Sequence, residues 1–256
     1  MLLETKDLTK SFGGLTAVNH VSIAIPKGVL KAIIGPNGAG KTTLFNLITG
    51  ILKPTRGRIF FKGEDITDSP PHIRSHKGIA RSFQITNIFP RLTTLENVRI
   101  AAQSRADRKV NYNMLSDVRS YCSFTEKAYD LLSQVGLGGR EHILACNLPH
   151  ADQRKLEIAV ALATEPHLLL LDEPTAGVAV EEVPEVMNVI TGLKKAHREL
   201  TIIVIEHKLD VVMSMSESII VMSEGRVIAD DKPDRIARNE LVQKAYLGET
   251  SEHFRG

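Results

Sequence analysis

The sequence predicts an α/β protein: a mainly parallel sheet covered by helices, preceded by half-buried strands and interrupted by a helical insertion. Three observations carry that prediction. Three short apolar runs, Val29 to Ile34, His167 to Leu171 and Thr201 to Ile205, have the composition of strands buried on both faces. The first part of the chain alternates apolar and polar residues with the period of a half-covered strand. The middle, about 85 to 150, is more polar and reads as helix.

Length and composition bound the rest. The 256 residues hold one large domain, or a domain with a subdomain, and ample core. Hydrophobic residues at 43% and charged residues at 24% exclude intrinsic disorder. Lys and Arg number 32 against 30 Asp and Glu, a formal charge of +2, so electrostatics gives no reason to expect nucleic acid as the main partner. Two cysteines, Cys122 and Cys146, are too few for a disulfide framework and match no metal spacing; they read as reduced thiols of a cytoplasmic protein. Glu4 stands where a signal peptide needs a basic start and an apolar stretch. No apolar run approaches the ~20 residues that cross a bilayer. The expectation is a soluble protein whose membrane role, if any, comes through a partner.

The elements follow in order. Val21, Ile23 and Ile25 point one way and Ser22 and Ala24 the other, with Pro26-Lys27-Gly28 as the turn. Val29 to Ile34 is the first doubly buried strand, and Arg58 to Gly63 reads as another strand ending in a turn. Thr93-Thr94-Leu95-Glu96 is a capping box that opens a helix. Gln103 to Ser123 is polar, with Arg105, Arg108, Lys109 and Arg119. Ala128, Leu131, Leu132 and Val135 then form an apolar helical stripe, begun by Thr125 and closed by Gly136. A helix with Val183, Val186, Met187, Ile190 and Leu193 inward joins the second and third buried strands. Each buried strand stops at chemistry: Gly35, then Asp172-Glu173, then Glu206-His207. Ligands of open α/β sheets sit outside the carboxyl ends of the strands, so parallel strands would gather these endings along one edge.

Gly35-Pro36-Asn37-Gly38-Ala39-Gly40-Lys41-Thr42-Thr43 fits the P-loop pattern, after a strand and before a helix carrying Leu44, Phe45, Leu47 and Ile48. Glycines let backbone N–H groups wrap phosphates. Lys41 would neutralise the β- and γ-phosphates, Thr42 would hold Mg²⁺, and the helix N-terminus adds positive potential. Asp172, at a strand end, would anchor Mg²⁺ through water, and Glu173 would polarise an attacking water. His207 could reach a γ-phosphate oxygen from the third strand end.

With these motifs the chain resembles the ATP-binding cassette family over nearly its whole length. The resemblance implies a P-loop NTPase core of mainly parallel sheet with an N-terminal antiparallel β subdomain and an inserted helical subdomain: residues 1–84 and 151–256 as core, 85–150 as insertion. It makes Phe12 the aromatic that stacks on adenine, with Val18 lining the same pocket. Gln84, in Arg81-Ser82-Phe83-Gln84, matches the glutamine that joins the subdomains, touches Mg²⁺ and feels the membrane partner. By this resemblance Asp172 and Glu173 are the metal-anchoring aspartate and catalytic glutamate, and His207 the switch histidine. More narrowly, Leu156-Glu157-Ile158-Ala159, Ala176-Gly177, the polar segment near 103 to 123 and the ending Ala245-Tyr246-Leu247-Gly248 resemble the ATPases of branched-chain amino-acid importers.

The chain departs from the family at Leu148 to Gln153, where the signature Leu-Ser-Gly-Gly-Gln stands. Pro149 removes a hydroxyl and an N–H, while His150 and Ala151 place side chains where glycines allow close approach. Ala179 replaces an aspartate that crosses the dimer interface. Elements acting on this chain's own ATP are intact; those acting on a partner's nucleotide are altered. The resemblance therefore implies an ATP- and Mg²⁺-dependent ATPase at the cytoplasmic face of the inner membrane. Its partners would be membrane permease subunits, a second and paralogous ATPase, and indirectly a solute-binding protein. Ile85, Ile88 and Phe89, beside Gln84, are expected to face the permease. The alternatives are the ATPase of a lipopolysaccharide-type exporter, or a soluble cassette without a permease, of the iron-sulfur assembly type.

Overall fold

The N-terminal alternation becomes a curved antiparallel sheet. Strand β1 (Leu3–Phe12) pairs with β2 (Leu15–Ile25), where Val21, Ile23 and Ile25 are buried and Ser22 and Ala24 exposed. After β3 (Leu30–Ile34) and α1 (Lys41–Thr49), the chain returns as β4 (Arg56–Phe61) beside β1, and β5 (Glu64–Asp65) completes the order β2-β1-β4-β5. The structure, a computed structural model, describes residues 1–82, 88–104 and 118–247, with the backbone alone at 118–121 and 247.

The second sheet is the central one. Helix α2 (Pro71–Lys77) leads into β6 (Ile79–Arg81), and helices α3 (Thr94–Gln103), α4 (Val118–Gln134) and α5 (His150–Ala163) follow. Then come β7 (Leu168–Asp172), α6 (Val183–Ala196), β8 (Thr201–Ile205), α7 (Leu209–Met215), β9 (Ser218–Ser223) and β10 (Arg226–Asp231), with α8 (Pro233–Ala237) and α9 (Glu240–Leu247) last. The order is β10-β9-β3-β8-β7-β6; neighbours from β9 to β6 run parallel and β10 is antiparallel. Every residue of β3, β7 and β8 is buried, and successive residues serve opposite faces. Leu169, Leu171, Ile202 and Val204 pack with α3, α4, α5 and α6, whereas Leu168, Leu170, Ile203 and Ile205 pack with α1 and the antiparallel sheet. Each such side chain contributes roughly 1.5–3 kcal/mol of hydrophobic stabilisation.

Local signals fare unevenly. Thr93 caps α3 as its sequence predicts, accepting from the Glu96 N–H at 3.2 Å while Glu96 accepts from the Thr93 N–H at 2.8 Å. Helix α4, by contrast, starts well before Thr125. Phe124 packs against the same cluster as Ala128, one turn on, so the apolar stripe reaches back past the threonine. Gly136, at φ 75°, does follow the last turn.

One buried charge braces the site from behind. Arg74 is 1% exposed and donates to the carbonyls of Leu47 and Ile48, at the end of α1, and of Ser69 and Thr67. Burial pushes its guanidinium down to about 10. Truncation would leave four carbonyls without their donor. Arg74→Met is therefore expected to lower unfolding free energy by about 3 kcal/mol or more, measured from denaturant midpoints. A loss below about 0.5 kcal/mol would show that water replaces the guanidinium.

Candidate functional site

The loop between β3 and α1 folds as it does because two glycines cannot carry side chains. A Cβ on Gly35 (φ 150°) would lie 2.1 Å from the Met222 carbonyl oxygen, and one on Gly40 (φ 93°) 2.2 Å from that of Ala17. Gly40 caps α1 without a side-chain bond, so the first helical N–H groups point toward the loop's concave side. Lys41 is 6% exposed, and its Nζ donates to the carbonyls of Gly35 at 2.6 Å and Pro36 at 2.9 Å. The ammonium thus sits inside the glycine turn.

A cleft of about 460 Å³ opens here, lined by Phe12, Leu15, Ala17, Asn37 to Thr43, Glu173 and His207. Phe12 is 46% exposed at the end of β1, with the Lys10 ammonium 5.1 Å from its ring centre. Its free face suits a planar ring. Val18 does not join it: this side chain is fully buried in the core, and Leu15 and Ala17 line the wall instead. Alternation at the start of β2 is the reason: Leu15 and Ala17 face the cleft and Val18 the core, before an irregularity in the β1–β2 register between Val18 and Val21 passes the inward set to Val21, Ile23 and Ile25. Gln84 lies outside the described residues, as does Ile85.

Across the cleft, β7 and β8 deliver the acidic edge. Asp172 is 1% exposed; its Oδ2 accepts from Arg81 Nη2 at 2.6 Å, and its buried Oδ1 has no hydrogen-bond partner among the described residues. Burial raises the pKa of Asp172, and the Arg81 hydrogen bond and charge oppose that rise. Glu173 has a left-handed backbone, φ 50°, unusual for a side chain of its size, and donates its N–H to the Ile205 carbonyl at 2.9 Å. His207 Nε2 lies 2.9 Å from Glu173 Oε1. An orphaned carboxylate oxygen at Asp172, with the Thr42 hydroxyl on the cleft wall, fits a hard divalent cation. Lys41, the loop N–H groups and the helix terminus fit a polyphosphate.

The segment from Leu148 to Gln153 is the start of α5. Pro149 is its cap and makes no side-chain bond; Pro149 and His150 are exposed. Ala151 corrects an expectation: it is 2% exposed and packs into the helix-side cluster, so its methyl obstructs nothing outside. Crowding there rests on His150. Ala179 is exposed, beside Val180 at 75%.

Two residues gain roles that sequence reading did not assign. Arg81 bridges Asp172 and, through Nη1, Asn46 of α1 at 2.5 Å. Glu206 is buried and accepts from Thr175 and from the His207 N–H. Both lie at carboxyl ends of parallel strands, the feature that singled out Asp172 and His207.

Comparison with known proteins agrees with this geometry. Residues 18–176 match the family model described as ABC transporter, and residues 226–251 that of the branched-chain amino acid ATP-binding cassette transporter. The high-affinity branched-chain amino acid transport ATP-binding protein BraF of Pseudomonas aeruginosa is 39% identical over 255 residues, 97% of this chain and 98% of that protein. LivG of Escherichia coli K12, described in the same words, is 37% identical over 251 residues, again 97% and 98%. The crystal structure of the ADP conformation of MJ1267, an ATP-binding cassette of an ABC transporter, superposes with TM-score 0.83 at 32% identity, covering 97% of this chain and 99% of that one.

Proposed function

From the premise that this chain belongs to the ABC transporter family, we propose that it powers an importer of branched-chain or related amino acids. It is an ATP-binding subunit that hydrolyses ATP to drive transport. The observation that carries the cargo assignment is the match of residues 226–251 to the branched-chain model, apart from the cassette motifs shared by the wider family. Neither the exporter reading nor the soluble one has a comparable observation behind it.

The chain's own groups divide the work. Phe12 offers a stacking face to the base, and the loop N–H groups with Lys41 hold the β- and γ-phosphates. Thr42, Asp172 and Gln84 would hold Mg²⁺, which supplies charge neutralisation on the phosphate oxygens. Glu173 accepts a hydrogen bond from the attacking water and draws off its proton as the oxygen adds to the γ-phosphorus, releasing ADP. His207 fixes the Glu173 carboxylate and reaches toward the γ-phosphate. Positioning and electrostatics of this kind dominate phosphoryl transfer.

The assembly reading goes further. Among the described residues no helix is long and apolar enough to cross a membrane, so permease subunits would supply the path and this chain would sit peripherally on their cytoplasmic side. Residues 85–150 are read as the helical subdomain, a division supported by the packing of α3 and α4 together. A groove beside β6, lined by Ile51, Pro71, Ile79, Val160 and Ala161, would receive a short permease helix. Phe89 stands near the same chain segment, 55% exposed, with its backbone clamped by Asn97 at 2.7 and 3.1 Å. Ile88 instead packs on the helical cluster, so Phe89 carries the contact. The second ATPase would be a paralogue with a more regular signature, and a solute-binding protein would act outside the membrane.

Co-purification from detergent extract tests the reading. The chain is expected to bring a membrane subunit and a second ATPase, and Phe89→Ala to abolish amino-acid uptake in vesicles while ATP affinity of the subunit stays within about twofold. Recovery of the chain with no membrane subunit would support the soluble alternative.

A further inference from the structure

We propose that Glu206 is a positioning residue for hydrolysis: its buried carboxylate clamps the turn carrying Glu173 to the segment carrying His207. The inference rests on the reading of those two residues as the hydrolytic pair. Glu206 follows β8 and is 3% exposed, and a carboxylate is costly to bury without partners. Its Oε1 accepts from the Thr175 hydroxyl at 2.7 Å and the Thr175 N–H at 3.0 Å, and its Oε2 from the His207 N–H at 3.2 Å. Among the described residues no Lys or Arg forms an ion pair with it. Both donor residues border the hydrolytic site: Thr175 lies just beyond Glu173, and His207 is the histidine itself.

Glu173 needs such a clamp. Its left-handed backbone, φ 50°, persists only where the surroundings over-determine it. Three contacts do so: its N–H on the Ile205 carbonyl at 2.9 Å, the Ala176 N–H on its own carbonyl at 2.9 Å, and the Thr175–Glu206 pair. The first two are main-chain bonds within the turn and to β8. Glu206 adds a side-chain link from the turn to the His207 N–H, closing a ring with the His207–Glu173 contact of 2.9 Å. Beyond the ring, Arg154 of α5 donates to the Ala176 carbonyl at 3.1 and 3.3 Å. The altered signature helix and the hydrolytic pair are thus tied through Thr175 and Ala176.

The test uses the purified complex with its membrane and ATPase partners, measuring ATP affinity with a fluorescent analogue, kcat, and the melting midpoint. Glu206→Ala is expected to lower kcat by about thirtyfold or more with ATP affinity within about twofold, because geometry rather than binding is lost. Thr175→Val alone should lower kcat by about threefold to tenfold, yet add less than about twofold on top of Glu206→Ala, since both remove one clamp. Glu206→Gln keeps an oxygen facing Thr175 and should recover part of the rate. Turnover in Glu206→Ala within about threefold of the parent, affinity falling as much as kcat, or fully additive effects would each overturn the proposal. Should Glu206→Ala not fold, unchanged kcat in both Glu206→Gln and Thr175→Val overturns it equally. No turnover in the parent complex would remove the underlying reading, a different failure seen before any variant is compared.

Discussion

Glu173→Gln is expected to keep ATP bound and to lower turnover by about a thousandfold, the scale of a lost general base and close to 4 kcal/mol of activation free energy. The amide matches the carboxylate in shape and keeps an oxygen for the His207 contact, which is 2.9 Å in the parent chain. It cannot take up a proton from water. Affinity and single-turnover hydrolysis, measured separately on the complex, check this, and hydrolysis within about tenfold of the parent would remove Glu173 from its role. Placed in one ATPase subunit at a time, the same change weighs the two sites. In the proposed pairing with a paralogue, Pro149, His150 and Ala179 would make this chain's contribution to the partner's nucleotide the weaker one, so Glu173→Gln should harm transport more than the equivalent change in the partner. The reverse ranking would end the idea of unequal sites.

Lys41→Ala should weaken ATP binding by about a hundredfold, near 3 kcal/mol, with little change in ADP-independent folding. The ammonium is the cation enclosed by the glycine turn, and a triphosphate brought there without it would face carbonyl oxygens at Gly35 and Pro36. Equilibrium titration with a fluorescent nucleotide measures the loss. The rise in melting temperature with ATP should shrink in parallel. Affinity within about twofold of the parent would place the triphosphate elsewhere.

Strands buried on both faces were the most legible part of the chain, since composition alone marks them: Thr201–Ile205 has the bounds read from sequence, Leu30–Ile34 starts one residue later, and Leu168–Asp172 is shifted by one residue at each end. The P-loop and the strand-end acids were legible because their chemistry lies within a few consecutive residues. What escaped reading depends on partners distant in sequence. Arg81 meets Asp172 across 91 positions and Glu206 meets Thr175 across 31, and nothing local announces either pair. Side-chain direction escaped too. Val18 and Ala151 occupy positions the family motif marks for a pocket and an interface, yet one strand register and one helical turn aim them into the core.

The two carbonyl contacts of Lys41 make ligand capture an exchange rather than an addition. A newcomer competes with the Gly35 and Pro36 oxygens, at 2.6 and 2.9 Å, for the donors of the ammonium. A singly charged anion offers little beyond what the turn already provides. A polyphosphate, contacting the ammonium and several N–H groups together, surpasses it. The loop thereby sets a charge threshold for occupancy, and it does so before the base is recognised at all.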